Sequence, residues 1–339
     1  MRRLLYWGDS PLVGTGYGTV ARHVLSALAG AGVAITAIGL SHLGHPDGAP
    51  YLERHWGVRV DDRDPLGQGA LVHELTRGEF DAVLCIGDPW QLVAVHQVHA
   101  QARLRWPRLI AYTAPDWPNI GERSCNALEL FDVVVVPTHL AHVWLRASTD
   151  VRHIEEIPHG VDLDVFSPRP EAGDEWRRAM GIADDAYVVA SIAKNAPKKR
   201  LDAVVQAFAL FRSRRPGSVL YLHTAPHDEA GDLLALCREL RLPALRGPAV
   251  DQHGAVSGPA VLFPSETPPH GAGSSARDMA AVLNAADVLA IASHSEGWCL
   301  PMTEAFACRV PVVAPRNTVF PELAEGRAWL YPSDELGRE

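Results

Sequence analysis

A chain of 339 residues with 47% hydrophobic and 21% charged side chains has the composition of a globular protein and the length for two cores. Its formal net charge of −9 excludes a broad electrostatic footprint for nucleic acid or anionic membrane and leaves room only for a local basic site. The start, MRRLLYWGDS, turns polar after a few apolar residues and lacks a secretory core, so a cytoplasmic protein is expected. The window HVLSALAGAGVAITAIGL at 23–40 is broken by Gly30 and Gly32 and passes from helical to β-rich spacing, so it reads as helix, turn and strand, not as a transmembrane segment.

Continuous apolar runs then alternate with amphipathic stretches. LLYW, VAITAIGL, DAVLCIG, RLIAYT and FDVVVVP are separated by segments such as ARHVLSALAG and QLVAVHQVHAQA, the pattern of a parallel sheet covered on both faces by helices. Around 163–176, LDVFSPRPEAGDEW has the prolines, glycine and charges of a linker. A second cycle follows, with AYVVASIA, SVLYLHTA, AVLFPS, DVLAIAS, VPVVAP and AWLYP as strands and LDAVVQAFALFRSR, GDLLALCREL and RDMAAVLNA as helices. The expected architecture is two Rossmann-like doubly wound α/β lobes, residues 1–165 and 176–339, joined by a linker at 166–175, with ligands at the carboxyl ends of the strands. The Gly- and Pro-rich stretch 248–275 reads as loop. Five scattered cysteines, never in a CxxC spacing, are expected as reduced thiols with no structural zinc.

Three places carry candidate chemistry. GDSPLVGTGYGTVARHV places Gly14, Gly16 and Gly18 after the first strand, where backbone N–H groups can approach an anion at a helix start; a plain tight turn is the alternative, since GTGYG is not the GxGxxG fingerprint. AKNAPKKRLD sets Lys194, Lys198, Lys199 and Arg200 at a strand end, able to clamp a diphosphate or to form a solvated basic loop. In SEGWCLPMTEAF, Pro301 suits a first helical position, and the amides of Gly297, Trp298, Cys299 and Leu300 can face an anion. Glu296 and Glu304 flank that start as acceptor-only groups suited to sugar hydroxyls, one per ring. The competing readings are a helix-dipole carboxylate at Glu304 with a surface Glu296, or a glycosidase pair. The glycosidase has no need of the basic and Gly-rich anion sites.

Taken in order, GTGYG, IPHGVDLDVFSP, AKNAPKKRLDAVVQAFALF and EGWCLPMTE resemble the family 4 retaining glycosyltransferases of GT-B fold across nearly the whole chain, with Glu296 and Glu304 as the Glu-x7-Glu pair. The resemblance implies transfer of a sugar from a nucleoside-diphosphate donor to a hydroxyl acceptor, with retention and without a metal or other cofactor. It implies that Glu296 contacts the donor sugar and Glu304 the ribose. Lys194 and Lys199 hold the phosphates, amides around Gly297 to Leu300 support them, and Gly16 approaches from the first lobe. Asp116, in YTAPDWPNI, is the candidate for orienting the attacking hydroxyl; a turn-forming Asp between prolines is its alternative. Asp88, Trp90 and Trp117 are expected nearby, and His159 is read as structural. Asp62-Arg63-Asp64 and Asp162-Leu163-Asp164 are not read as a metal site.

The sequence departs from the family pattern at Lys194, usually Arg, at Arg309, usually Gly, and in ending at Glu339, which makes the second lobe look short. A non-catalytic or partner-dependent nucleotide-sugar binder is the alternative of another class. A hydroxymethylated pyrimidine in DNA is an alternative acceptor, disfavoured by the acidic charge.

Overall fold

The structure is a computed structural model that describes residues 2–41, 49–59, 63–248, 258–265 and 274–333. The chain divides between His159 and Gly160 into two compact units.

The first unit runs β1 (Arg3–Asp9), α1 (Gly16–Gly30), β2 (Ala34–Leu40), β3 (Arg54–Gly57), α2 (Gln68–Arg77), β4 (Ala82–Ile86), α3 (Pro89–Gln101), β5 (Arg108–Tyr112), α4 (Glu122–Leu128), β6 (Val133–Val136), α5 (His139–Ser148) and β7 (Ile154–Glu156). Its seven strands are parallel in the order β3-β2-β1-β4-β5-β6-β7. Alternate residues of β1 feed two cores. Leu5 and Trp7 pack with Ile38, Val83 and Val134 on one face, and Leu4 and Tyr6 with Ile35, Leu84 and Val135 on the other. Burial on both faces is why these strands are apolar without alternation.

The second unit runs α6 (Pro170–Met180), β8 (Val188–Ile192), a 3-10 turn (Pro197–Lys199), α7 (Leu201–Arg214), β9 (Val219–His223), β10 (His227–Asp228), β11 (Gly231–Asp232), α8 (Leu233–Glu239), β12 (Ala244–Arg246), β13 (Val261–Phe263), α9 (Ala276–Ala285), β14 (Val288–Ala290), α10 (Leu300–Ala307), β15 (Val312–Pro315), α11 (Phe320–Ala324) and β16 (Trp329–Tyr331). Its large sheet is parallel in the order β12-β13-β9-β8-β14-β15-β16, and β10 and β11 form a separate antiparallel pair. Val188 and Ala190 face one core, Val189 the other.

The stretch 166–175, expected to be a linker, has a different structure. Phe166 is buried in the second unit's core, and α6 begins at Pro170. The proline sits in the first turn, where a missing N–H costs nothing. Gly173 lets α6 lie against α9, since a Cβ there would meet Asn284 O at 2.3 Å. Arg177 fastens the helix, donating to Ala285 O at 2.8 Å and to Asp287 Oδ2 at 2.9 Å.

All five cysteines are free thiols. No helix among the described residues is long and apolar enough to cross a membrane, and none of their His, Cys, Asp and Glu side chains form a metal-binding group. Asp64 accepts from the Gln68 and Gly69 amides at the start of α2, and Asp162 accepts from the Asp164 amide. Asp62 and most of 248–275 lie outside the described residues.

Candidate functional site

In the second unit, β14 ends at Ala290 and the chain reaches α10 through residues 291–299. Cys299 occupies the position before the helix with φ 76°, a left-handed conformation that is strained for a residue with a Cβ and is typical of sites that need a particular backbone path. Pro301 follows in the first turn. The amides of Gly297, Cys299 and Leu300 have no intrachain acceptor among the described residues, so they are available to an anion at the positive end of the helix. Trp298 is buried beside them, only 9% exposed.

The Glu296 carboxylate is held from two directions. Its Oε1 accepts from Lys199 Nζ at 2.5 Å and from Ser293 Oγ at 2.7 Å. The Lys199 and Glu296 side chains are 19% and 11% exposed, so the pair is largely desolvated and its geometry matters. The backbone fixes both ends. Lys199 closes the 3-10 turn, with its N–H donating to Ala196 O at 2.9 Å, and the His294 N–H donates to Lys198 O at 2.8 Å. The Glu296 amide donates to Thr318 Oγ1 at 3.3 Å, and Asn317 Nδ2 to Ser293 O at 3.2 Å. Arg200, with φ 50°, starts α7 and reaches both Asp202 and His294.

Glu304 lies one turn into α10. Its carboxyl has no hydrogen-bond or ion-pair partner among the described residues, and burial pushes its pKa up to about 7. Hydroxyl donors are the groups that such a carboxylate lacks.

Lys194 is not part of this cluster. Its Nζ lies 2.5 Å from Glu229 Oε1, between β10 and β11, with both side chains about half exposed.

In the first unit, Gly16 opens α1 behind Thr15, whose Oγ1 accepts from the Gly18 amide at 2.9 Å and donates to Asp9 Oδ2 at 2.5 Å. Burial and the neighbouring Asp88 raise the Asp9 pKa. Tyr17 OH donates to Asp88 Oδ1 and accepts from the Ala114 amide, each at 3.1 Å. The Gly-rich turn is thereby tied to the carboxyl ends of β1, β4 and β5. Asp116 follows two residues after Ala114 and is half-buried, and Trp90 is 61% exposed at the start of α3. Near His159, Tyr112 OH donates to Ile157 O at 2.7 Å, so its oxygen accepts from His159 Nδ1 at 2.8 Å. Burial lowers the His159 pKa to about 4.

Sequence reasoning missed Ser293, Thr318, Asn317, Glu229, Asp9 and Tyr17. Ser293 and Thr318 sit at strand ends beside recognised motifs, a usable signal; Glu229 and Tyr17 carry none without the fold.

Residues 270–333, which include both glutamates, match the family model for glycosyl transferases group 1. The chain is similar to D-inositol 3-phosphate glycosyltransferase of Actinosynnema mirum, at 31% identity over 270 residues covering 76% of this chain and 58% of the relative. It is also similar to the protein of that name from Mycobacterium tuberculosis, at 30% over 237 residues, 67% of this chain and 43% of the relative. The chain thus spans about half the length of these curated relatives. Among solved structures, sucrose-phosphate synthase from Thermosynechococcus elongatus superposes with a TM-score of 0.75 at 16% identity, covering 98% of this chain and 86% of the other. HepE from Anabaena in complex with UDP-glucose superposes with 0.71 at 16%, covering 99% and 86%. The fold is GT-B. Two parallel sheets of seven strands each are its two Rossmann-like lobes, as the sequence pattern implied.

Proposed function

We propose that this chain is a retaining glycosyltransferase that moves a sugar from a nucleoside-diphosphate donor to a hydroxyl acceptor without a catalytic metal. The observation that carries the reading is the assembly at the start of α10: the Lys199–Glu296 pair at 2.5 Å, with the amides of Gly297, Cys299 and Leu300 lacking an acceptor and the Glu304 carboxyl lacking a partner among the described residues. A diphosphate, a sugar and a ribose find complementary groups in that one segment. Relatives named as glycosyltransferases and a neighbour in complex with UDP-glucose support the same reading.

In this account Glu296 accepts hydrogen bonds from the donor sugar, Glu304 from the ribose, and Lys199 and Lys194 neutralise the phosphates. The anomeric C–O bond breaks with its electron pair passing to the phosphate oxygen. The acceptor oxygen bonds to the same face of the anomeric carbon, and its proton passes to the departing phosphate. The products are glycoside and nucleoside diphosphate. Lys199 and the amides stabilise the charge that grows on the leaving group, where fixed donors contribute most. Asp116 orients the attacking hydroxyl.

A thermal-shift panel of nucleotide sugars and bare nucleotides, with and without Mg²⁺, tests the donor assignment, because a ligand of the folded state raises the melting temperature. One nucleotide family is expected to stabilise the protein equally with and without Mg²⁺. No shift with any member, or a shift only with Mg²⁺, overturns the reading. Binding without turnover against any acceptor identifies a nucleotide-sugar binder.

A further inference from the structure

Each cation assigned above to the donor phosphates is matched by a carboxylate of the chain itself. For Lys199 it is Glu296, which has its own role toward the sugar. For Lys194 it is Glu229, 2.5 Å away, which has no role in the reaction described.

Glu229 is not a loose surface side chain. It stands in the tight turn between β10 and β11, whose antiparallel pairing joins His227 to Asp232 and Asp228 to Gly231. Asn195, adjacent to Lys194 and 1% exposed, brackets that turn. Its carbonyl accepts from the Ala230 N–H at 3.2 Å, and its Nδ2 donates to Gly231 O at 3.0 Å. Asp228 Oδ1 accepts from the Glu229 amide at 2.9 Å, and Asp232 caps α8 by accepting from the Leu234 and Ala235 amides. The turn is therefore fastened at both ends and in the middle, with Glu229 set in front of Lys194.

We propose that Glu229 is an internal competitor for the donor phosphate: its carboxylate holds the Lys194 ammonium in the free protein, and the diphosphate displaces it on binding. This rests on the reading of Lys194 as a phosphate-binding residue. Both side chains are about half exposed, 47% and 56%, so solvent screens the pair, and such pairs are worth about 1.4- to 5-fold in an equilibrium constant. A competitor of that strength sets the donor concentration at which the site fills and does not block it.

The probe is inorganic pyrophosphate, which carries the diphosphate without base or sugar, titrated calorimetrically into the wild-type chain, Glu229→Gln, Lys194→Ala and the double variant. Glu229→Gln is expected to bind about 1.4- to 5-fold more tightly than wild type, with the gain absent when Lys194 is Ala. Gln keeps the side-chain shape at an exposed position, and an unchanged melting temperature verifies the fold. Equal or weaker binding by Glu229→Gln, a gain that persists without Lys194, or no binding to either protein overturns the proposal. The two readings fail separately. Nucleotide sugars that bind and turn over with no gain in Glu229→Gln leave sugar transfer standing and remove the competitor. A Lys194-dependent gain in a protein that binds no nucleotide sugar leaves the competitor standing and removes sugar transfer.

Discussion

Replacing Glu304 by Gln isolates the consequence of burying a carboxyl group without a cation. Burial raises its pKa from an ordinary 4.5 to about 7, so the folded chain keeps a proton that the unfolded chain releases. The stability conferred by that tighter proton binding is full below pH 4.5 and is lost as pH rises from 4.5 through about 7. At about 1.4 kcal/mol for each tenfold difference in proton affinity, the loss is about 3 kcal/mol, reduced to about 2 by the solvent contact that a half-buried side chain retains. The Gln side chain has nearly the same shape and no charge to desolvate. Denaturant unfolding of both proteins from pH 4.5 to 8.5 is expected to give similar stabilities at the acid end and an advantage of about 2–3 kcal/mol for Glu304→Gln at the alkaline end. A stability difference that does not change across this range refutes the reasoning. Ribose hydroxyls favour the ionised carboxylate, so donor binding near pH 6.5 should release a proton from wild type and none from Glu304→Gln. Calorimetry in two buffers of different ionisation enthalpy reads that release.

Lys199→Ala and Glu296→Ala are each expected to lower sugar transfer about 100- to 1000-fold with the fold retained; wild-type rates in both remove the site assignment. Arg309 follows α10 with φ 60°, its amide donating to Phe306 O at 3.0 Å. Glycine takes that conformation freely, so Arg309→Gly should stabilise the chain by about 0.5–1 kcal/mol, read as a higher melting temperature. A lower one contradicts this. Gly18 lies in α1 where Ala is ordinarily favoured, but a Cβ there would meet Val13 O at 2.5 Å and Ser10 O at 2.9 Å. Backbone overlap outweighs propensity, and Gly18→Ala is expected to cost about 1–3 kcal/mol; a stabilised variant would show that the turn yields.

The central strands were legible in the sequence because burial on both faces leaves a continuous apolar run, as in AITAIGL of β2, where every residue is buried. The edge strands β3, β7 and β12 were not. Each is short and mostly exposed, as in RHWG of β3, and so carries no such run. The first half of α6 reads as linker because Pro170, Gly173 and the charges around them have a linker's composition. The proline is a helix start and the glycine a packing contact, and only the fold tells these uses apart. At the candidate site, the placing of Glu296 at a strand end and of Glu304 in the following helix could be read from spacing and from Pro301. The partners of the two lysines could not. Lys199 and Glu296 are 97 residues apart, and Lys194 and Glu229 are 35 apart, separations that the order of strands in the sheet brings together.

The most direct measurement of the central claim is proton NMR of the first sugar released from the donor chosen by the thermal-shift panel, with water standing in for the acceptor and nucleoside diphosphate measured alongside. The account predicts that both products form together, that the sugar first appears with the donor's own anomeric configuration, and that Lys199→Ala suppresses the signal. First appearance of the inverted anomer, or no nucleoside diphosphate release with water or with candidate hydroxyl acceptors, contradicts it.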